Sequence, residues 1–358
     1  MLNICITADH ELFFGRNFVS AEEVFIRPTY SLINVLRNYR IPLCLMTDVC
    51  SILRYRELNI EYPYVDLMEE QLRYAVREGN DVQLHLHPHW LDSEYAQGQW
   101  MFSYEKYRLH NFSFDESAKP NVRQIIAEGK KYLEDLLKPV DETYECRAFR
   151  AGGWCIQPEK ELLTALAAEG IVIDTTVYYG GYYEAKNSCY NFRRVPNKPN
   201  WWINPQKGLE YEDCKQKGNI LEAAIGSYGF WPLLGWKKLK YLSYRRKLEV
   251  QMPKVRGLSM DQIGPRSYRQ VIAEKVKHFI FHPVMFTFDA ACYVVMMDIL
   301  NYYLKHFDCL GQDFYLCMIG HPKTLTEAYL EQIDKFCAKV TTEYSDRVKF
   351  IRLLDIPL

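Results

Sequence analysis

The sequence lacks several features that mark common protein classes. None of its apolar runs approaches the roughly 20 residues that a membrane-spanning helix needs. A formal net charge of −1 gives no bulk attraction to nucleic acid. The 11 cysteines form no C-x-x-C pair, which argues against a disulfide framework and against a cysteine zinc site. We therefore expect a protein that does not span a membrane and does not bind nucleic acid.

The beginning of the chain and its thiols point to one compartment. The polar residues Asp9 and Glu11 come too early for a signal peptide. Cysteines that stay reduced are typical of cytoplasmic proteins. We expect a soluble, cytoplasmic location.

Short apolar runs alternate with longer amphipathic stretches along the chain. The strand-like runs cover residues 2–7, 41–47, 81–86, 145–149, 170–175, 219–225, 313–319 and 348–353. Helix-like stretches between them cover residues 21–38, 64–79, 121–137 and 158–169. This alternation predicts an α/β protein with a parallel sheet or barrel.

One region interrupts the alternation. From about residue 178 to 277 the chain is aromatic and irregular, and residues 236–247 carry a basic run. We interpret the region as an insertion over the mouth of the barrel, because functional loops are where such length accumulates. It holds four tryptophans that could form a sugar-binding wall or could pack outside the barrel: Trp201, Trp202, Trp231 and Trp236.

Three histidines, spaced by two residues, stand at the end of the apolar strand of residues 81–86 and directly after it. An extended chain would pair His85 with His87, whereas a turn at Pro88 would bring His85 to His89. We expect the turn, since proline cannot extend a central strand. Neutral imidazole is the commonest metal ligand, so this cluster favours a metal site over histidines that bind no metal.

A carboxylate is needed beside two histidines, and the end of the first strand offers one. Asp9 and Glu11 stand where sites gather in parallel α/β folds, at the carboxyl ends of strands. One carboxylate could bind metal while the other takes a proton from water. A solvated loop is the alternative.

Further polar residues follow later strands. Arg150 precedes the tandem glycines Gly152 and Gly153, which let a ligand approach the backbone or simply form a strand-to-helix turn. His321 suits a general acid, and Asp174 could orient such a histidine.

Together these residues resemble the motifs of the polysaccharide deacetylases, carbohydrate esterase family 4. That family's order is T-x-D-D, H-[ST]-x-x-H, R-x-P-x-G, a strand-end Asp, and a final strand ending in His. Residues 7–11, 85–89 and 150–154 look like the first three motifs, and Asp174 and His321 like the last two. The resemblance spans nearly the whole chain in the right order.

The resemblance implies a distorted (β/α)7 barrel of the NodB-homology type, with one domain over residues 1–358. It implies a divalent metal, expected to be Zn²⁺, held by His85 and His89. It gives catalytic roles to Asp9 (base), Arg150 (its partner), Gly153 (oxyanion N–H), His321 (acid) and Asp174 (which tunes the acid).

The sequence departs from the family pattern at several places. There is no adjacent Asp-Asp pair: Glu11 is expected as the metal carboxylate, with His10 as the alternative ligand. Gly152 replaces the motif's proline. His87 replaces a plain residue and is expected, with Trp154, to face the substrate.

The histidine-rich second motif resembles the intracellular branch of surface-polysaccharide (O-antigen, lipopolysaccharide) biosynthesis. The expected reaction is N-deacetylation of an amino sugar, either small or lipid-linked. A glycosidase and a non-catalytic sugar-binding barrel are the alternatives; the first needs two carboxylates, such as Asp9 and Asp174, and leaves the histidines unexplained. The His278 and His282 pair we interpret as structural, and the basic run of residues 236–247 as a solvated face or a phosphate contact.

Overall fold

The structure is a computed structural model that describes residues 1–12, 21–60, 64–185, 187–228, 241, 243–244, 283–307 and 311–358. Its strands are β1 Leu2–His10, β2 Leu43–Asp48, β3 Asp81–Leu86, β4 Glu94–Ala96, β5 Gln99–Met101, β6 Ala148–Ala151, β7 Ile173–Asp174, β8 Tyr182–Glu184, β9 Cys189–Asn191, β10 Asn200–Ile203, β11 Glu212–Asp213, β12 Ile220–Ala223, β13 Ser227–Tyr228, β14 Val284–Met285, β15 Phe314–Gly320 and β16 Val348–Phe350. Its α-helices are α1 Arg27–Arg37, α2 Val49–Glu57, α3 Tyr64–Arg77, α4 Val122–Leu137, α5 Glu159–Ala168, α6 Tyr293–Phe307 and α7 Glu327–Glu343.

One sheet organises the described part of the chain. Its strand order is β11-β10-β12-β7-β6-β3-β2-β1-β15, with β16 also paired to β1. Neighbours from β12 to β15 run parallel, whereas β10 and β11 are antiparallel additions. Every residue of β1, β2 and β3 is buried, because helices cover one face and the curled interior covers the other.

The sheet curls until its two sides meet. Ile225, just after β12, bridges in parallel to Cys317 of β15, and Thr287 bridges to Ile319. The parallel strands β1, β2, β3, β6, β7, β12 and β15 therefore form a distorted seven-stranded barrel. This confirms the expected α/β barrel, and it brings the carboxyl ends of all these strands to one mouth.

The strand and helix predictions are confirmed, with shifts of a few residues at their ends. One of them concerns β6, expected from residue 145 and found from Ala148. There the Gln83 side chain accepts hydrogen bonds from the backbone N–H groups of Arg147 (2.9 Å) and Ala148 (2.8 Å), in place of a strand ladder. In α5, Pro158 stands at the N-cap and Gly170 follows the end at φ +76°, as the punctuation predicts.

The expected insertion is described only in part. Its first section supplies β10 and β12 to the main sheet and a β8–β9 hairpin. Trp231, Trp236, His278 and His282 lie outside the described residues, as does the basic run of residues 236–247 apart from residues 241, 243 and 244. No helix in the described ranges is both long enough and apolar enough to cross a membrane.

The two described tryptophans of the insertion belong to sheet packing. Trp201 is buried and its indole N–H donates to the Leu209 carbonyl (3.2 Å). Trp202 lines a cavity of about 330 Å³, together with Phe314 and Tyr315 at the amino-terminal end of β15. Both positions suit the packing alternative better than the sugar-binding wall.

Candidate active site

Alternation along β1 sorts its polar side chains between two faces. Thr7, Asp9 and Glu11 project to the barrel interior, and His10 projects to the opposite side. There His10 Nε2 meets Gln71 Oε1 at 2.9 Å, and its ring packs on Phe25 with centroids 4.0 Å apart. Burial lowers the pKa of His10 to about 3. The alternative that His10 binds the metal is corrected: it is a neutral core histidine.

The histidine pair at the end of β3 is His85 with His87. Their Nε2 atoms lie 3.0 Å apart, because the chain stays extended through His87 and turns only at Pro88–Trp90. His85 Nδ1 lies 2.8 Å from the Arg150 carbonyl oxygen. Since a carbonyl only accepts, Nδ1 carries the proton and the Nε2 lone pair faces the interior, as in metal-bound histidines.

His89 does not join this pair, which corrects the expected pairing of His85 with His89. It lies in the turn after β3, with its ring packed against Trp90, Phe102 and Tyr107 at centroid distances of 6.1, 5.3 and 5.4 Å. Burial holds the pKa of His89 well below its usual value. The turn begins one residue later than expected, so His87 takes the place given to His89.

Glu11 completes a group of three potential metal ligands with His85 and His87. Its Oε2 lies 3.4 Å from His85 Nε2 and contacts His87 Nε2. The three ligand atoms lie within 4.8 Å of one another and all three residues are buried. Ligand atoms about 2.0–2.1 Å from a tetrahedral zinc ion lie about 3.3 Å apart, so this donor set fits a zinc ion that keeps one position open.

Asp9 is held by a buried arginine. Arg150 donates from Nη1 to Asp9 Oδ1 (2.5 Å), from Nη2 to Thr7 Oγ1 (2.8 Å) and from Nε to the Thr175 carbonyl (3.0 Å). Burial alone would raise the pKa of Asp9, but the Arg150 guanidinium, together with His85 and His321, lowers that pKa below its usual value. Asp9 is therefore an ionised carboxylate whose Oδ2 is directed to the barrel mouth.

His321, which follows β15, faces that oxygen. Its Nε2 lies 3.5 Å from Asp9 Oδ2, and its Nδ1 lies 2.8 Å from Asp289 Oδ2. Burial alone would lower the pKa of His321, but the charge and hydrogen bond of Asp289, together with Asp9 and Glu11, raise that pKa. Asp9 is thus kept ionised and His321 is favoured in its protonated form, which are the states that a proton acceptor and a proton donor need.

Asp289, which the sequence interpretation missed, takes the place given to Asp174. Asp174 lies deeper, where it accepts from Thr176 Oγ1 (2.7 Å) and shares a hydrogen bond with Glu222 on β12. Burial raises the pKa of both Asp174 and Glu222. The expectation that Asp174 orients His321 is thus corrected: this pair of carboxyl groups supports the barrel wall.

Lys323 is a second residue that the sequence interpretation missed. It stands in the turn Pro322–Thr324 and its Nζ lies 2.7 Å from Glu11 Oε1 and 3.2 Å from the Leu12 carbonyl. Burial would raise the pKa of Glu11, but Lys323 and then His87 hold it well below its usual value. The one signal for Lys323 in the sequence is its place two residues after His321, at the end of a strand.

The glycines after β6 let neighbouring groups approach. A Cβ on Gly152 would lie 2.5 Å from the Leu86 carbonyl oxygen and 2.8 Å from His87 Nδ1, so the missing proline makes room for the His87 ring. Gly153 has φ +60°, and its Cβ would meet the Tyr107 hydroxyl. Trp154 also has a positive φ, +58°, and its indole packs on the ring of Tyr178.

Asp48, at the end of β2, is buried beside the histidines. Its Oδ1 accepts from the backbone N–H of His87 (3.0 Å) and of Cys50 (3.2 Å), and its Oδ2 has no hydrogen-bond partner among the described residues. Burial raises the pKa of Asp48 to about 6. Ionisation of this carboxyl group therefore destabilises the folded state.

We expect Asp48→Asn to stabilise the metal-free protein at pH 7.5 by about 1–3 kcal/mol. Because the folded-state pKa lies above the unfolded one, the penalty is complete above about pH 6 and absent below about pH 4. Urea unfolding of both proteins with a chelator, at pH 4 and pH 7.5, measures the difference. Asp66→Asn, at an exposed position of α3, is the control and should change little at either pH. An equal effect of Asp48→Asn at both pH values would contradict the prediction.

Comparison with known proteins gives structural matches alone. No family model and no curated protein sequence matches the chain. A Mycobacterium smegmatis protein described as a polysaccharide deacetylase is 11% identical, with a TM-score of 0.46 over 99% of this chain and 88% of that one. Polysaccharide deacetylases are among the solved structures whose fold this chain resembles. Puue allantoinase gives the same values as the mycobacterial protein. A GH57 branching enzyme from Thermococcus kodakaraensis is 11% identical, with a TM-score of 0.47 over 98% of this chain and 70% of that one.

Proposed function

We propose that this protein is a metal-dependent amidohydrolase that removes an N-acetyl group from an amino sugar. The observation that carries the proposal is the juxtaposition of two units at one barrel mouth. Three metal-type ligand atoms converge at Glu11, His85 and His87. Beside them, 3.5 Å separates the Asp9 carboxylate from the His321 imidazole.

The metal would be held by Glu11, His85 and His87, and Zn²⁺ suits their oxygen and nitrogen donors. When bound, it supplies a Lewis acid and lowers the pKa of water. His10 and His89 are left out of this ligand set because their rings are committed to core contacts.

The protein's own groups divide the proton transfers between them. Asp9, kept ionised by Arg150, accepts a proton from the attacking water. His321, kept protonated by Asp289, donates a proton to the departing amine nitrogen, which makes it a better leaving group. The N–H of Gly153, in the turn beside His87, is the candidate donor to the oxyanion. Trp154 at the same turn is the candidate surface for a sugar ring.

The substrate class follows from the motif resemblance. We propose an amino sugar, free, nucleotide-linked or lipid-linked, in surface-polysaccharide biosynthesis in the cytoplasm. We also propose that residues 1–358 act as a single domain, with the insertion beside the substrate.

The test is acetate release. The purified protein, loaded with Zn²⁺, is incubated with N-acetylated amino sugars as free oligosaccharides, nucleotide sugars and lipid-linked sugars. Acetate appearing only with metal, and abolished by a chelator, is the expected result. Sugar binding without acetate release from any substrate would replace the proposal with the non-catalytic alternative.

A glycosidase is less well supported. It needs two carboxyl groups that flank the scissile bond. Asp9 satisfies this at the mouth, but Asp174 is fully buried and engaged with Thr176 and Glu222.

The His321 assignment makes a pH prediction. Asp289→Asn should move the alkaline limb of the kcat/KM profile to lower pH, because loss of the carboxylate lowers the pKa of His321 and its acid form disappears sooner. The acidic limb should stay within error. Asp298→Asn, on α6, serves as the control. An alkaline limb that does not move would show that Asp289 does not tune the acid.

A further inference from the structure

Lys323 divides the two oxygen atoms of Glu11 between two partners. Its Nζ takes Oε1 at 2.7 Å, while Oε2 faces His85 and His87. The lysine side chain is only 10% exposed, so this ammonium group is part of the buried centre and not a mobile surface cation.

The lysine is fixed by the same carboxylate that holds His321. Asp289 Oδ2 accepts from the His321 backbone N–H (2.9 Å), just before the turn that carries Lys323, and from Thr324 Oγ1 (2.8 Å), at the last residue of that turn. A further bond from Nζ to the Leu12 carbonyl (3.2 Å) anchors the other end of the side chain. The position of the ammonium group is therefore set by the backbone on both sides.

Glu11 is also shared by two groups of potential metal ligands. One consists of Glu11, His85 and His87, and the other of Asp9, Glu11 and His321. In the second group the oxygen nearest His321 is Oε1, at 3.8 Å from Nε2. That is the oxygen already bound by Lys323, so a cation supplied by the chain stands where a second ion would need its ligand.

We propose that Lys323 is a positioning residue that restricts Glu11 to one metal-binding oxygen and limits the centre to a single metal ion. This inference rests on the proposed function. Because an ammonium group close to a divalent cation opposes its binding, Lys323 also weakens metal affinity. If Lys323 only held the ligands in place, its removal would instead weaken metal binding, because the ligands would lose their alignment.

Zinc and cobalt binding by the full chain test the proposal. Lys323→Met should bind Zn²⁺ about tenfold more tightly or better in chelator competition, because the repulsion is gone. Its visible Co²⁺ spectrum should change, since a bidentate Glu11 raises the coordination number. Lys323→Arg should keep the wild-type spectrum, and the exposed Lys335→Met on α7 should match wild type throughout.

The outcomes separate this inference from the proposed function. Wild-type protein that binds no Zn²⁺ overturns both. Wild-type binding together with an unchanged or weaker affinity in Lys323→Met overturns the role of Lys323 alone. If Lys323→Met does not fold by circular dichroism, Lys323→Gln, which is neutral but polar, decides by the same two measurements.

Discussion

Asp9→Asn is expected to leave the fold and zinc binding intact while turnover falls by about 10² or more. The amide oxygen still accepts from Arg150, so the interior hydrogen bonds to Arg150 persist. The amide cannot accept the proton that the carboxylate takes. Acetate release under saturating substrate, with zinc content measured on the same samples, gives both quantities.

The matched control for this variant is Asp66→Asn, which makes the same chemical change at an exposed helix position. It should have wild-type turnover. Near-normal turnover in Asp9→Asn would move the role of base to Glu11, the other carboxylate at this end of β1. Loss of zinc together with activity would show that Asp9 is a ligand instead.

His87→Gln is expected to reduce zinc affinity by about 10² or more, because it removes one of three converging donors. The corresponding change two residues later, His89→Gln, should leave zinc affinity nearly unchanged, since that ring packs among aromatic side chains. It should instead lower the thermal stability. Chelator competition on the two variants, side by side with wild type, measures the difference.

The reverse result would restore the pairing that the sequence favoured. If His89→Gln loses zinc and His87→Gln keeps it, His85 and His89 are the ligands and the local geometry changes when metal binds. Equal losses in both variants would mean that all three histidines matter to the centre.

Much of the fold could be predicted because its signals are local. Apolar runs and amphipathic stretches gave the strands and helices, and their alternation gave the parallel barrel. Since the carboxyl ends of parallel strands meet at one mouth, residues as distant as Asp9, Arg150 and His321 could be assigned to one place. The structure brings them within hydrogen-bonding or close ionic contact.

The predictions that were wrong or missing concerned single residues, or contacts between residues far apart in the sequence. The period of two along β1 already separates His10 from Asp9 and Glu11, so that signal was available and unused. The sequence does not fix the residue at which the turn after β3 begins. For this reason His89 was predicted as a ligand in the place where the structure has His87. Asp289 and Lys323 reach the centre only through long-range packing, which no local pattern reports.

The antiparallel pair β13–β14 has a further consequence for how the molecule is built. Ser227 pairs with Met285 and Tyr228 with Val284, so a two-stranded stem joins two segments that lie far apart in the sequence. Immediately after the stem, Phe286 and Phe288 exchange backbone hydrogen bonds with Ile319 of β15. These bonds fix the backbone just before Asp289 to β15, the strand that His321 follows. His321 and the carboxylate that orients it are therefore both anchored to one strand, so that a displacement of β15 would move them together.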